Sequence, residues 1–486
     1  MLAAYSAVVA VGDARYMMLW KGYTESSPLA RWQTMRMLLK AMGFWVWGLI
    51  AIALSASFVT LSYRLASNYR WHDTAINPSP SEATRATPAA VSPTVVSSDQ
   101  TLPKAGVVSR GIANNMRAAQ SALQAGRWNE ALDDLQAAQE ISPLTAFDLK
   151  TIDEFKAYAH IKVQNFSRAQ SDYEAELATG AVPLQEAVNV FRMLFRLSES
   201  TGQHARAIGY GEQLAERGGA SAEDLGILSQ SYYLQKDCTN TVVWANKAIA
   251  ASREAGQTPK ENWSQFKLQC ASDAGDTAAM AAVLADLIRL THRPNYWNLL
   301  LRVERQDERD DHNTLMLYRL MYDTASMSVG SDYIEMAQLL GDAALPAEAQ
   351  TVLEKAMSSG VILEQQKERT TRLLNSFKAR VDVDRQSSAR RNADAEENPA
   401  GELGVKLGEV YFGLGEYPDA VTALNRGLSK GQVQHLDDAY VYLGRAQVAL
   451  KDMDGARTTF ANLRSVPNVS QRVLKLWSLY ADTLGP

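Results

Sequence analysis

The chain has 486 residues, of which 46% are hydrophobic and 21% are charged, so it is long enough to bury a large core and too hydrophobic to be disordered throughout. Its 49 basic and 54 acidic side chains give a formal net charge of −5, which argues against a protein that wraps nucleic-acid phosphates. Two cysteines and six histidines exclude a disulfide-dense scaffold and an elaborate metal centre. We therefore expect a globular chain that binds no nucleic acid and no cofactor.

An uncharged, apolar stretch at residues 41–63 is the first predicted element. It is as long as the roughly 20 residues that a helix needs to cross a bilayer. Basic residues are more frequent before it than after it, which predicts that residues 1–40 are cytoplasmic and that the bulk of the chain is exported. A cleaved signal peptide that begins at Met35 or Met37 is the alternative interpretation; it would leave residues 1–34 untranslated and would remove the membrane anchor.

Residues 64–110 follow as a linker rich in proline, serine and threonine. Large apolar side chains are scarce between residues 78 and 105, so this part cannot bury a core. We expect a flexible spacer that separates the folded part from the bilayer.

From residue 111 onward a pattern of two helices joined by a short turn recurs. An alanine commonly lies five positions after the turn residue, and a large apolar residue lies nine after it, as at Gly126, Ala131 and Leu135. Successive turns from residue 126 to residue 275 are separated by 34 to 39 residues, and the turns at 415 and 451 by 36, which is the period of helical-pair repeats. The turns fall at Gly126, Gln164, Gly202, Lys236, Gly275, Gly415 and Lys451.

These residues resemble the tetratricopeptide repeat (TPR) family, whose consensus places Gly, Tyr, Ala and Pro at the same offsets. The copies that begin at Leu407-Gly408 and Leu443-Gly444 match it best. The resemblance implies an all-α fold, a solenoid of stacked helical hairpins with a concave groove. We expect one block of repeats at 111–360 and a second at 401–486.

Residues 361–400 separate the two blocks and are highly charged. Their first half has the apolar spacing of a helix, and the second half is polar, which predicts a long charged helix followed by an exposed loop. A protease-sensitive hinge is the functional alternative.

A looser resemblance extends from Tyr296-Trp297 through Asp332–Leu339 to Gly427–Gly431. This run looks like a set of exported bacterial repeat proteins, some of which accompany TonB-type energy-transduction systems. The resemblance implies a location in the bacterial envelope.

The sequence contains no motif that predicts an enzyme. The six histidines are scattered without a His-x-x-x-His spacing, so no metal site is expected. Ser264 and Lys267 form an isolated Ser-x-x-Lys, which occurs by chance in a chain of this length. We predict a protein without catalytic, cofactor-binding or metal-binding residues.

The two cysteines fall on helices of neighbouring repeats that should pack together. Cys238 begins the second helix of one repeat, and Cys270 lies in the first helix of the next. Export to an oxidising compartment would permit a Cys238–Cys270 disulfide. Two small buried apolar side chains are the alternative.

In the resembled family the first helix of each pair lines the concave groove. Arginine and aromatic side chains there suit a peptide or a helix as partner, although Tyr158, Tyr233 and Phe412 would also suit packing between repeats. The residues expected on this face are Tyr158, Arg192, Arg196, Gln230, Tyr233, Gln338, Glu409, Phe412 and Arg445.

Together these features predict a single-pass scaffold or adaptor in a bacterial inner membrane, with the repeats in the periplasm. Its partners would be other envelope proteins, bound in the groove. The alternative is a polymer-contacting subunit of an envelope secretion or polysaccharide-export system, for which exposed tryptophans along the groove would be the sign.

Overall fold

The computed structural model describes residues 107–306, 308–467 and 470–485. The predicted transmembrane stretch at 41–63 and nearly all of the predicted linker at 64–110 lie outside the described residues. Within the described ranges, no helix combines the length and the apolar character needed to cross a membrane.

All regular structure in the described part of the chain is helical, which confirms the all-α prediction. We number the α-helices α1 to α20 in chain order. They are α1 (Ala113–Gln124), α2 (Trp128–Gln139), α3 (Ala146–Lys162), α4 (Phe166–Ala178), α5 (Leu184–Ser200), α6 (His204–Glu216), α7 (Ala222–Leu234), α8 (Cys238–Glu254), α9 (Glu261–Asp273), α10 (Thr277–Thr291), α11 (Pro294–Arg305), α12 (Asp311–Asp323), α13 (Gly330–Asp342), α14 (Pro346–Ser358), α15 (Glu364–Glu397), α16 (Glu402–Leu414), α17 (Tyr417–Lys430), α18 (Leu436–Ala449), α19 (Met453–Asn462) and α20 (Gln471–Thr483).

Helices α1 to α14 form seven consecutive pairs, and α16/α17 and α18/α19 form two more. Each turn position predicted from the sequence has a left-handed backbone, with φ between 59° and 78°. Glycine adopts this conformation without strain, whereas Gln164, Lys236 and Lys451 adopt it as exceptions. The predicted period of the repeats is therefore confirmed at the level of the backbone.

In six of the pairs, an alanine five positions after the turn explains how the two helices approach each other. Its side chain is completely buried, so a larger one would push the helices apart. These alanines are Ala131, Ala169, Ala207, Ala349, Ala420 and Ala456.

Helix α15 differs from the sequence-based expectation because it continues as a helix to Glu397, where an exposed loop was predicted. Contacts from α17 hold its C-terminal half. The ammonium of Lys430 donates to the carbonyl oxygens of Ala395, Glu396 and Asn398 at 2.9, 2.8 and 2.6 Å. Since the last carbonyls of a helix lack partners within the helix, this cation stabilises the end of α15.

After α15 the chain returns to helices that precede it. Arg472 on α20 donates to the carbonyl oxygen of Glu304 on α11 at 2.8 Å, and Arg289 on α10 lies 3.4 Å from Asp482 on α20. The repeats after α15 therefore pack against α10 to α14, and one core cluster extends from Leu268 on α9 to Ala481 on α20.

Candidate functional site: the grooves of the two repeat blocks

The first helices of the two C-terminal pairs, α16 and α18, direct polar side chains at the second helices α12 and α14. We call the surface formed by Glu409, Phe412, Asp438, Tyr442 and Arg445 the C-terminal groove. These residues lie on α16 and α18, and the helices that they contact come about 90 to 120 positions earlier in the chain.

Arg445 makes the most extensive contact in the C-terminal groove. Its guanidinium holds both carboxylate oxygens of Asp323 on α12, with Nε–Oδ2 and Nη2–Oδ1 distances of 2.7 and 3.1 Å. Its third nitrogen donates to Glu348 on α14 at 2.6 Å. Such a forked contact fixes direction as well as distance, so Arg445 positions α12 and α14 together.

Arg319 on α12 makes the reciprocal contact. It donates to Asp438 at 2.5 Å and to the Tyr442 hydroxyl at 2.6 Å. Tyr442 in turn donates to Glu348 at 2.5 Å. Two arginines and three carboxylates thus form one network between α12, α14 and α18.

This network is closed to solvent: Arg319 is 1% exposed and Arg445 is 4% exposed. Burial alone would raise the pKa of Glu348, but Arg445 and Arg319 hold it below its ordinary value. Burial raises the pKa of Asp323 in spite of Arg445, and burial raises the pKa of the Tyr442 phenol well above its usual range. The charges are therefore compensated by one another and not by water.

Glu409 and Phe412 on α16 complete the C-terminal groove. Burial raises the pKa of Glu409 to about 7, against the opposing charge of Lys406. The Phe412 ring lies 4.5 Å from the Arg445 guanidinium and 5.2 Å from the Tyr442 ring. Next to them lies a cavity of about 340 Å³ that is lined by Tyr322, Tyr417 and Tyr480 among others.

The structure therefore assigns an occupant to the C-terminal groove, which the sequence did not predict. Glu409, Phe412 and Arg445 were expected to contact a partner protein. Instead Arg445 is bonded to this chain's own α12 and α14, Phe412 stacks on it, and Glu409 is buried beside them. Spacing along the sequence cannot reveal this contact, because it joins helices about a hundred residues apart.

In the N-terminal block, Arg192 and Arg196 on α5 lie half-buried. Arg196 donates to Asp224 on α7 at 2.6 Å, and Arg192 donates to the carbonyl oxygen of Gly219 at 2.7 Å. Asp224 also belongs to the capping box of α7 with Ser221. The two arginines thus link neighbouring first helices and keep part of their surface accessible.

The other predicted residues divide into packed and accessible ones. Tyr158 on α3 is buried, with its ring 6.3 Å from that of Trp128, and Tyr233 on α7 packs half-buried at 5.1 Å from the Phe266 ring. Gln230 is half-buried, and Gln338 on α13 is exposed.

Two exposed apolar side chains were missed by the sequence reasoning. Leu184 begins α5 and is 74% exposed, and Phe147 in the first turn of α3 is also exposed. Both lie at the starts of consecutive first helices. Helical spacing alone gave no signal for them, because the first turn of a helix lies at the margin of the periodic pattern.

The structure joins Cys238 and Cys270 in a disulfide with a Cα–Cα distance of 5.4 Å. The bond connects α8 to α9, and hence the pair α7/α8 to the pair α9/α10. It lies beside the Tyr233–Phe266 contact, which joins the same two pairs.

The described tryptophans do not form an exposed stripe. Trp263, Trp297 and Trp477 are buried, and Trp128 and Trp244 are half-buried. The feature that would favour polymer binding is therefore not found in the described part of the chain.

Comparison with known proteins adds a sequence match at the end of the chain. Residues 438–468 match the family model described as tetratricopeptide repeat, and these residues form α18, α19 and the turn between them. The same helical-pair geometry recurs from α1 onward. This matched part of the chain is a tetratricopeptide repeat, and the preceding helical pairs resemble it. No curated protein sequence matches it.

Several solved structures resemble this chain over long stretches. A tetratricopeptide repeat protein from Parabacteroides merdae is 11% identical, covers 76% of this chain and 99% of its own, and has a TM-score of 0.27. A structure of Naa15/Naa10 bound to HypK-THB is 14% identical, covers 75% of this chain and 59% of its own, and has a TM-score of 0.36. The TPR domain of P58(IPK) is 11% identical, covers 77% of this chain and 98% of its own, and has a TM-score of 0.21.

At TM-scores below 0.5 these likenesses carry no argument about what the chain binds. TPR-type helical repeats typically mediate protein–protein interaction and assembly. This general role is compatible with a protein that binds other proteins through its repeats.

Proposed function

We propose that this TPR protein is a scaffold anchored in a bacterial inner membrane by residues 41–63. Its repeats would lie on the periplasmic side, where they bind other envelope proteins through the groove of the N-terminal block, α1 to α10. We choose the N-terminal groove because the C-terminal groove is occupied: side chains of α16 and α18 there already bind two helices of the same chain.

The occupied groove supports a proposal for the kind of ligand that these repeats accept. Arg445 and Tyr442 hold α12 and α14 through charge-assisted hydrogen bonds, with an aromatic ring stacked beside them. The ligand is helical and supplies carboxylates. A partner with acidic residues on one helical face would suit the half-exposed arginines of α5 in the same way.

The exposed apolar side chains Phe147 and Leu184 add the second component of a binding surface. Isolated exposed leucines are common on protein surfaces, but these two lie at the starts of consecutive first helices, which contact each other through Lys150 and Glu186 at 2.7 Å, and α5 also carries the two partly exposed arginines. An apolar anchor beside charged residues is typical of helix-in-groove recognition. We propose that the partner helix is amphipathic and places its apolar face on Phe147 and Leu184.

Site-specific photocrosslinking in the native cells tests the groove. In the full chain a photoreactive amino acid would replace Gln230 on α7, and the matched control would carry it at exposed Asn246 on α8 of the same pair. We expect a discrete crosslinked protein with the Gln230 variant that the Asn246 variant does not give. Equal labelling from both positions would show that the groove is not the binding surface.

A second test separates partner binding from stability. We expect Leu184→Asp to weaken recovery of the crosslinked partner without shifting the unfolding temperature, because the side chain is 74% exposed. Leu363→Asp is the matched control, since Leu363 is 62% exposed next to the start of α15. If both substitutions or neither changed partner recovery, Leu184 would have no specific role.

The membrane anchor rests on the sequence and is tested by fractionation. The full chain should remain in the membrane pellet after alkaline extraction. Protease added to spheroplasts should digest the repeats while it leaves the cytoplasmic residues 1–40 intact. Release at high pH, or protection of the repeats, would overturn the proposed anchor or its orientation.

A further inference from the structure

The junction between α12 and α18 carries a cluster of metal-ligating side chains that shares Asp438 with the network of the C-terminal groove. His312 lies in the first turn of α12. His435 directly precedes α18, and Asp437 and Asp438 lie in its first turn. The fold thus brings together imidazole and carboxylate groups that are more than 120 positions apart in sequence.

Three of these side chains converge on one point. His312, His435 and Asp438 each offer a ligand atom, and the three atoms lie within 4.8 Å of one another. Nδ1 of His312 is 3.6 Å from Oδ2 of Asp438. Two ligands bound tetrahedrally to one ion at about 2.0–2.2 Å are separated by roughly 3.4 Å, so the separation of this pair already suits a shared ion.

The second polar atom of His312 and that of Asp438 each form a hydrogen bond, as is usual for the ligands of a metal ion. Nε2 of His312 contacts Asp437 at 2.6 Å, which leaves Nδ1 as the nitrogen that faces Asp438. Oδ1 of Asp438 accepts from the buried Arg319 at 2.5 Å, which leaves Oδ2 facing His312. A carboxylate on the second nitrogen of a ligating histidine fixes both tautomer and ring orientation.

We propose that His312, His435 and Asp438 bind one divalent transition-metal ion of the Zn²⁺, Ni²⁺ or Cu²⁺ class. Two imidazoles and one carboxylate select such ions over Mg²⁺ and Ca²⁺, which prefer oxygen ligands. Because His435 is exposed and His312 is half-exposed, the ion can enter from solvent, and a water molecule can fill the fourth position. The ion would fasten α18 to α12 and so hold the C-terminal groove closed.

Metal binding by the full chain, purified in detergent without a polyhistidine tag and stripped with chelator, tests the site. The probe is Co²⁺ at about pH 8, at which a free imidazole is neutral, followed by equilibrium dialysis with Zn²⁺. We expect one ion per chain and the visible absorption of tetrahedral Co²⁺. Zn²⁺ should also raise the unfolding temperature, because it binds the folded state.

The decisive variant is His435→Gln, since this exposed side chain can be replaced without disturbing the core. It should lose the Co²⁺ spectrum and the Zn²⁺-dependent stabilisation. Asp437→Asn should bind about 10- to 100-fold more weakly, as for loss of an outer-shell partner. His292→Asn, which changes an exposed histidine elsewhere, should bind as the parent does.

Two results would overturn the proposal. One is a parent chain that takes up no Co²⁺ or Zn²⁺ in these titrations. The other is a His435→Gln variant that binds with the parent's affinity and spectrum. Neither result would bear on partner binding in the N-terminal groove, so the two proposals are tested separately.

Discussion

Replacement of Glu176 on α4 by glutamine is expected to stabilise the chain, and increasingly so as the pH rises. Glu176 is 1% exposed, and its Oε2 has no hydrogen-bond partner among the described residues. The nearby Lys150 is engaged elsewhere, at 3.0 Å from Glu154 and 2.7 Å from Glu186. Burial, together with the charge of Glu154, raises the pKa of Glu176 to about 8.

The direction of the pH effect follows from proton binding. The ordinary pKa of the side chain is 4.5, so between about pH 4.5 and pH 8 the unfolded chain has lost a proton that the folded chain keeps. The folded state binds more protons there, and stability falls as the pH rises. Each pH unit of this window costs at most about 1.4 kcal/mol.

The whole window would correspond to a loss of up to roughly 5 kcal/mol. Structural relaxation and water penetration reduce such penalties in proteins. We therefore expect Glu176→Gln to raise the free energy of unfolding by about 2–4 kcal/mol at pH 8. Near pH 4.5, where the carboxyl is neutral in the folded chain, the gain should be small.

Urea unfolding followed by circular dichroism, from about pH 5 to about pH 9, measures this difference. The parent and the variant should diverge steadily up to pH 8 and then run parallel. Glu254→Gln is the control, because Glu254 is exposed at the end of α8 and should give no such divergence. A Glu176→Gln variant whose advantage is the same at every pH would refute the assignment of a neutral buried carboxyl.

Three further predictions concern contacts that hold the fold. Arg445→Met should lower the free energy of unfolding by about 3–5 kcal/mol, because it leaves buried carboxylates unpaired; an unchanged urea midpoint would contradict the network. Thiol titration in denaturant should find no free thiol before reduction and two after it, and Cys238→Ser with Cys270→Ser should cost about 3–4 kcal/mol for a closed loop of 32 residues. Lys430→Ala should speed proteolysis in the C-terminal half of α15, whereas Arg390→Ala, at a side chain 88% exposed, should leave the cleavage rate unchanged.

The sequence was sufficient to predict the repeats because their determinants are local. A left-handed turn residue and a small residue five positions later recur at almost constant spacing, as at Gly126 and Ala131 or Gly415 and Ala420. Each pair needs only its own turn and its own close helix contact to form. The same logic placed Cys238 and Cys270 on helices that pack together.

The rest of the structure depends on contacts between distant parts of the chain. The C-terminal half of α15 is polar, which predicts a loop. It is nevertheless helical, because Lys430 on α17 binds its final carbonyls. The occupied groove joins Arg445 to Asp323, and the proposed metal site joins His312 to His435. Spacing along the sequence contains no information on such pairs, because their contact depends on how the repeats after α15 fold back onto earlier helices.

The closed C-terminal groove also determines where a partner can bind. A competing ligand would have to replace every hydrogen bond that the buried Arg319 and Arg445 make, since a buried charge that lost its partner would cost several kcal/mol. A ligand can contact the arginines of α5 while they stay bonded to Asp224, because 35% of the Arg192 side chain and 20% of the Arg196 side chain are exposed. We therefore propose the N-terminal groove as the partner's binding surface, in which the pairs α7/α8 and α9/α10 are joined by the Cys238–Cys270 bond. Because such a bond persists in an oxidising compartment and a rigid groove loses less entropy when it binds, we expect export to precede tight partner binding.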